Sequence, residues 1–284
     1  MKVQPFKIPK PVHERLVVQT DYSEQFYDKL HQHEEIQISY IVAGTGKLVV
    51  ADSVHPFKSG DLFVIGQKCP HVYRSAADVA EAHMISIFFT KTSFGEYFFD
   101  IPEMEQVQEF FMRSDAGFKL ISNTEVACKL IRQIATTDKF SKFLIFLELL
   151  RLLSKSEQQV LTGFVYPKKL SVNEGSRMQT VFDFVMNNFQ QEITLNTVAA
   201  MAFMTPGAFC RFFKLRTNKT FFQFVIELRI EHACLLLGDS SSLSISEIAT
   251  LSGFSSISNF NRKFKDIKGV TPTAYFNKIG KRAS

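Results

Sequence analysis

The residues of the first half best suited to chemistry are His31, His33 and His71. His31 and His33 are two apart, and on an extended segment such residues project to the same side. His71 can join them from another strand. Imidazole nitrogens bind zinc or iron, and neutral imidazole also donates and accepts hydrogen bonds to hydroxyl or carboxylate groups. A metal site, a metal-free ligand contact and a purely structural role are all open to such a trio. Gln37, Tyr40 and Arg74 are further candidates to line a pocket beside it.

The second half carries a different set. Ile193-Thr194-Leu195 lies 50 residues before Leu243-Ser244-Ile245, and Val198-Ala199 lies 50 before Ile248-Ala249. The offset then becomes 51, so that Phe209, Arg211, Phe213 and Lys214 match Phe260, Arg262, Phe264 and Lys265. Two diverged copies of one supersecondary unit, with one residue inserted around Ser255, account for this. Each unit reads as helix, short turn, helix. Ser244 and Glu247 have capping-box spacing, the helix stops at Gly253, and Ser256 caps the next. In the first unit Thr205 is the N-cap and Pro206 takes the first helical position. Phe209/Phe213 and Phe260/Phe264, four apart, turn each second helix inward, which leaves Arg211, Asn261 and Arg262 facing out.

An outward polar face on the second helix of such a unit suits the major groove of DNA. Arg211 and Arg262 can bond guanine or phosphate, and Asn261 suits adenine. Lys214 and Lys265 suit phosphates, which position without specifying. Thr205, Gly207, Ser256 and Ser258 lie near the helix starts that reach base edges, with Gly207 offering only its backbone. A long helix, residues 220–237, separates the units and, if rigid, fixes their spacing.

These sites need elements to hold them. Residues 36–42, 47–51, 61–65 and 83–89 are rich in β-branched and aromatic residues, with Gly44-Thr45-Gly46 and Ser59-Gly60-Asp61 as turns, so they predict strands of a barrel or sandwich. From about Pro102 the spacing turns helical. Residues 143–150 are apolar nearly all round, so that helix is buried in its own chain or paired with a second copy. Residues 163–176 mix Gly, Pro, Lys and Asn and predict a linker. Everything beyond reads as helix.

At 284 residues the chain is long enough for two domains. With 45% apolar and 21% charged residues it is globular rather than disordered. No apolar run suits a membrane span, and no signal core follows the N-terminus, so a cytoplasmic protein without membrane contact is expected. Cys69, Cys128, Cys210 and Cys234 are widely spaced, which predicts buried free thiols rather than disulfides or structural zinc. Thirty phenylalanines and no tryptophan predict a Phe-packed core. Charge is uneven: residues 1–175 hold 20 Lys+Arg against 21 Asp+Glu, and residues 176–284 hold 13 against 7. The second part is therefore the one suited to a polyanion.

The run Ile245-Ser-Glu-Ile248-Ala249, Gly253-Phe254-Ser-Ser, Asn259-Phe260-Asn261-Arg262-Lys-Phe264-Lys265, Gly269-Val-Thr271-Pro272 and Tyr275 resembles the DNA-binding domain of AraC/XylS-type transcription regulators. The first unit matches through Met204-Thr205-Pro206 and Phe209-Cys-Arg211-Phe-Phe213-Lys214. It departs at Asn218, where the family usually has glycine, and Phe276 replaces a usual arginine. Asn tolerates the left-handed conformation next best, so the first departure is expected to alter a helix C-cap without changing the fold. His31-Gln-His33-Glu34-Glu35, Gly44-Thr-Gly46, Ser59-Gly60-Asp61 and Pro70-His71 resemble a cupin-type barrel. A cupin metalloenzyme with an appended helical domain is the competing expectation. Such an enzyme would add a carboxylate after the second histidine, but Gln37 stands there and Glu34 and Glu35 come too early.

The resemblance therefore implies an α+β chain of two domains. Residues 1–162 would form a cupin-like sensor and dimerisation domain, with a barrel about 14–90 and helices about 103–162. Residues 163–176 would link it to an all-α double helix-turn-helix over 177–284. The implied protein is a regulator and no enzyme. Its partners would be double-stranded DNA, a small-molecule effector held without metal or cofactor, and a second copy of the chain, with RNA polymerase a candidate.

Overall fold

The computed structural model describes residues 14–76, 81–163, 172–238 and 243–280. The chain divides into two compact units, Met1–Gly175 and Ser176–Ser284. Most of the expected linker lies outside the described residues, and its last part is already helical, since α4 spans Val172–Asn188.

The first unit contains β1 (Val17–Ser23), β2 (Ile36–Ala43), β3 (Gly46–Val50), β4 (Ser53–Phe57), β5 (Leu62–Ile65), β6 (His71–Ser75) and β7 (Ala82–Phe89). Helix α1 (Glu105–Ser114), β8 (Phe118–Leu120), helices α2 (Thr124–Thr136) and α3 (Lys139–Lys155), and β9 (Gln158–Val160) follow. The strands form a six-stranded sheet, β1-β7-β2-β5-β8-β9, and a three-stranded sheet, β4-β3-β6. The expected barrel thus takes the form of two sheets with facing inner sides, and the described ladders do not run as one closed ring.

Period-two alternation gives the large sheet two buried faces. Ile41, Phe63, Ile65 and Met84 face Leu48, Val50, Phe57 and Tyr73 of the small sheet. The alternate residues Ile38, Tyr40, Leu62, Val64, Ile85, Ile87 and Phe89 pack instead on Phe110, Ile131, Ile134, Phe146, Leu149 and Leu153 of the three helices. Helix α3 starts at Asp138, whose carboxylate accepts from the main-chain N–H of Phe140 and Ser141. It buries one side in this core while Phe140 and Leu144 stand exposed. The expected phenylalanine packing is present: Phe89 and Phe146 meet edge-on with centroids 4.7 Å apart.

In the second unit α4 is followed by α5 (Leu195–Met201), α6 (Pro206–Thr217), α7 (Phe221–Gly238), α8 (Ile245–Leu251), α9 (Ile257–Lys268) and α10 (Pro272–Gly280). The repeat is visible in the packing. Phe209 and Phe213 of α6 meet Phe221, at the start of α7, edge-on. Phe260 and Phe264 of α9 pack on Ile230, Ala233, Cys234 and Leu237 at its other end. The central helix therefore serves both helix pairs. Cys69, Cys128 and Cys234 are buried as expected, but Cys210 is exposed, because it shares the outward face of α6 with Arg211.

Candidate functional site

In the first unit β2 presents Gln37, Ser39 and Ile41 to the inner side of the large sheet, and β7 adds Ser86 and Phe88 beside them, since Gln37 pairs with Phe88 and Ser39 with Ser86. His31 forms an isolated antiparallel bridge with His71 at the start of β6. Main-chain N–H of Lys68 donates to His33 O at 2.8 Å, which holds the second histidine against the same turn. The three imidazoles meet as a result: centroids are 4.3 Å apart for His31–His71 and 5.1 Å for His33–His71. All three are buried. Burial lowers the pKa of His31 to about 4 and holds His71 well below the usual histidine range, so both rings are neutral at neutral pH.

Gln37 is the hub of the cluster. Its Oε1 lies 3.0 Å from Nε2 of His33 and 3.0 Å from Nε2 of His71. Its amide nitrogen donates to Ser39 Oγ at 2.8 Å and to Ser86 Oγ at 3.3 Å. A cleft of about 280 Å³ opens beside it, lined among others by Gln19, Asp21, Tyr27, His31, Gln37 and Ser86. A volume of this order suits a small ligand. The Tyr73 hydroxyl is buried on the same wall, close to the Ser39 side chain.

The structure separates the other two pocket candidates from this cleft. Tyr40 is three residues from Gln37, so strand alternation sends it to the opposite face. There its hydroxyl accepts from Arg132 Nη2, and the guanidinium lies 5.1 Å from its ring. Arg74 alternates with His71 and Tyr73 on β6 and pairs with Lys47 in the small sheet, away from the cleft. Conversely, Gln19 and Asp21 line the cleft but were not singled out in the sequence. The alternation Val17, Gln19, Asp21, Ser23 is the signal that would have found them.

In the second unit the expected caps are in place. Thr205 Oγ1 accepts from Ala208 N, Ser256 Oγ accepts from Asn259 N, and Ser244 with Glu247 forms a complete capping box. Asn218 takes the left-handed conformation, φ 55°, as the C-cap of α6, and Gly269, φ 72°, does so for α9. Thr205, Gly207, Arg211 and Lys214 of the first pair are exposed, as are Ser256, Ser258, Asn261, Arg262 and Lys265 of the second. Arg262 Nη2 donates to Asn259 Oδ1 at 3.0 Å. Asn259, one turn earlier on the same face, was not among the expected site residues.

The basic residues sort by partner. Lys219 pairs with Glu227 at 2.7 Å, and Lys268 pairs with Glu231 at 2.6 Å. Arg229 donates to Phe189 O at 2.6 Å and to Gln191 O at 2.8 Å. These three charges tie α7 to its neighbours. Arg211, Lys214 and Lys265 point outward and form no ion pair among the described residues. The positive face is therefore concentrated on α6 and α9.

Comparison with known proteins gives the same division. Residues 15–136 match the AraC-like ligand binding domain, and residues 198–278 match a helix-turn-helix domain. The chain is 26% identical over 262 residues to the HTH-type transcriptional activator RhaR of Mannheimia succiniciproducens, covering 89% of this chain and 88% of that protein. It is 31% identical over 99 residues to the HTH-type transcriptional regulator YdeC of Bacillus subtilis, covering 35% of this chain and 34% of that one. Among solved structures, the DNA-binding domain of AdpA with a target DNA is 28% identical, covering 36% of this chain and 91% of that chain, with a TM-score of 0.34. No single helix among the described residues is long and apolar enough to cross a membrane. With a ligand-binding domain of AraC type in its first unit and a helix-turn-helix domain in its second, the chain belongs to the AraC-type DNA-binding transcription regulators.

Proposed function

We propose that this regulator reads DNA with two recognition helices and adjusts that reading to a small polar effector bound in the cleft of its first unit. The observation that carries the DNA part is the equivalence of Arg211 and Lys214 on α6 with Arg262 and Lys265 on α9, all exposed at matching positions of the repeat. Arg211, Asn261 and Arg262 would reach base edges, with Thr205, Gly207, Ser256 and Ser258 at the helix starts. Lys214 and Lys265 would hold phosphates. His31, His33, Gln37 and His71 would anchor the effector through hydroxyl or carboxylate groups, supported by the position of His31 and Gln37 on the wall of the cleft.

The working form would be a homodimer that joins two copies through α3, whose exposed Phe140 and Leu144 supply an apolar face. Binding rather than catalysis would be its role, and the cytoplasm its place of action. RNA polymerase is the natural further partner, a reading supported by the name activator given to RhaR of Mannheimia succiniciproducens. An effector can act only through different affinity for two arrangements of the protein, and a coupling of about 1–3 kcal/mol makes a useful switch. Selection of bound fragments from random duplex DNA by the full chain, repeated at several salt concentrations, tests the reading. One enriched sequence bipartite in form supports it, and sequence-indifferent binding overturns it.

A further inference from the structure

Strand β1 forms one edge of the large sheet, and its inner row carries a charge. Gln19 pairs with Ser86, and Asp21 pairs with Met84, which in turn pairs with Ile41 of β2. Strand parity puts Asp21 on the same face as Gln19, and both line the cleft. The cross-strand neighbours of this half-buried carboxylate are therefore a thioether and an aliphatic chain, and neither gives it a proton. Gln19 Nε2 donates to Asp21 Oδ1 at 2.7 Å and fixes its orientation. Among the described residues Oδ2 accepts no hydrogen bond, and Asp21 has no ion-pair partner. A carboxylate drawn out of water without a counter-charge is costly to hold.

The rest of the wall does not supply that charge. The described lining of the cleft contains no lysine or arginine, and burial keeps His31, its one histidine, uncharged at neutral pH. The wall is rich in rings instead, with Phe26, Tyr27, Tyr73 and Phe88 around the same space as Asp21. Aromatic faces are negative and attract cations, most strongly where water is excluded. An anionic guest would meet Asp21 with nothing to offset it, whereas a positively charged one gains from both the carboxylate and the rings.

We propose that the cleft binds a small organic ammonium compound, with its charged nitrogen beside Asp21 and the aromatic wall. An uncharged polar group of the same molecule, such as a hydroxyl, would face Gln37 and Ser86, which lie on the neighbouring strands. A cleft of about 280 Å³ limits the guest to a compact molecule. The link to DNA binding rests on the cleft being the effector site; the choice of guest follows from the charge of the wall alone. A structural role for Asp21 is the competing account. An inward-pointing charge on an edge strand discourages pairing with the edge of another sheet and needs no ligand.

Isothermal titration calorimetry of the full chain with two pairs of probes separates the accounts. Choline is compared with 3,3-dimethylbutan-1-ol, and ethanolamine with propan-1-ol; in each pair carbon replaces the charged nitrogen and the shape is kept. At least one ammonium probe should bind saturably, one per chain, and about tenfold or more tighter than its neutral partner. Asp21→Asn, which keeps the shape and removes the charge, should cut that preference to about twofold or less. Far-UV circular dichroism establishes that the variant is folded, and the wild-type pairs decide the question even where it is not. Absence of saturable binding by both ammonium probes overturns the proposal, as does equal affinity within each pair. An undiminished preference in folded Asp21→Asn also overturns it. Mobility shift of DNA with and without the bound probe reads the regulatory link separately. A probe that binds but leaves DNA affinity unchanged supports the cation site and counts against the effector reading, and sequence-indifferent DNA binding counts against the regulator reading alone.

Discussion

His31 and His71 exchange main-chain hydrogen bonds in both directions, His31 N to His71 O at 3.1 Å and His71 N to His31 O at 2.9 Å. The bridge pins the segment before β2 to the start of β6, and with it two imidazoles inside the protein. Burial costs each ring its charged form, which lowers the pKa of His31 from 6.5 to about 4 and that of His71 well below 6.5. In the unfolded chain both titrate near 6.5. As pH falls through that value the unfolded state takes up protons that the native state refuses, so stability is complete above it and declines toward about 4. For His31 alone the loss amounts to about 3 kcal/mol over the window. Urea unfolding at about pH 7 and about pH 5 should show this decline, with a shallower one in H31Q. Equal stability at the two pH values would contradict neutral burial of the rings.

Phe203 and Gly253 occupy equivalent turns of the two helix pairs, and both have positive φ, 55° and 87°. Phe203 is 86% exposed, so nothing presses on its side chain. A Cβ on Gly253 would lie 2.8 Å from Gln190 Cα and 2.8 Å from Phe189 O, backbone atoms just beyond the end of α4. Gly253→Ala should therefore cost about 2 kcal/mol or more, from strain and close approach together. Phe203→Gly should change stability by less than about 1 kcal/mol, because relief of the left-handed backbone is offset by greater freedom in the unfolded chain. Thermal unfolding of the two variants distinguishes the turns, and equal effects would show that only the dihedral angle matters.

Much of this was legible from local pattern. Thr205 is legible as an N-cap, Ser244 with Glu247 as a capping box, and Phe209/Phe213 as the inward pair. Each depends on residues within one or two turns of helix, and each is present. The cleft was legible only in part, because its members come from strands far apart in sequence. The parity of β2 separates Gln37 from Tyr40, but which parity faces inward is decided by the helices that cover the other side. Strands β8 and β9 were missed for a simpler reason. Each is three residues long, too short for any periodicity, and each is held by its neighbours in the sheet.

Helix α3, apolar nearly all round, buries one side in its own unit and leaves apolar residues exposed on the other. Phe146, Leu149, Leu150 and Leu153 are fully buried in the first unit, while Leu144 is 51% and Phe140 71% exposed. Leu144→Glu therefore adds a charge outside the core, and it should leave thermal stability of the isolated chain within about 0.5 kcal/mol. If a second copy covers this face, the same variant should be monomeric by light scattering at concentrations where the wild type is dimeric. A dimer that survives Leu144→Glu would place the interface elsewhere.

Arg262 and Lys265 lie one turn apart on α9, and their surroundings differ. Arg262 is braced by Asn259, whose Oδ1 accepts from its Nη2 at 3.0 Å, so its guanidinium is oriented before any DNA arrives. Lys265 sits in the last turn of α9, with no such brace among the described residues. A pre-oriented fork suits bidentate contact with a guanine edge, whereas a mobile ammonium suits a phosphate. Arg262→Ala should cost about 1–3 kcal/mol at a cognate site and relax preference at one base pair. Lys265→Ala should weaken all sequences alike and flatten the dependence of log K on log salt by about one unit. Asn259→Ala should lie between, losing part of the Arg262 discrimination while leaving the salt slope unchanged. Affinities of the full chain for matched and single-mismatch duplexes across a salt series separate these outcomes. Uniform, salt-dependent loss in Arg262→Ala would move Arg262 from the bases to the phosphate backbone.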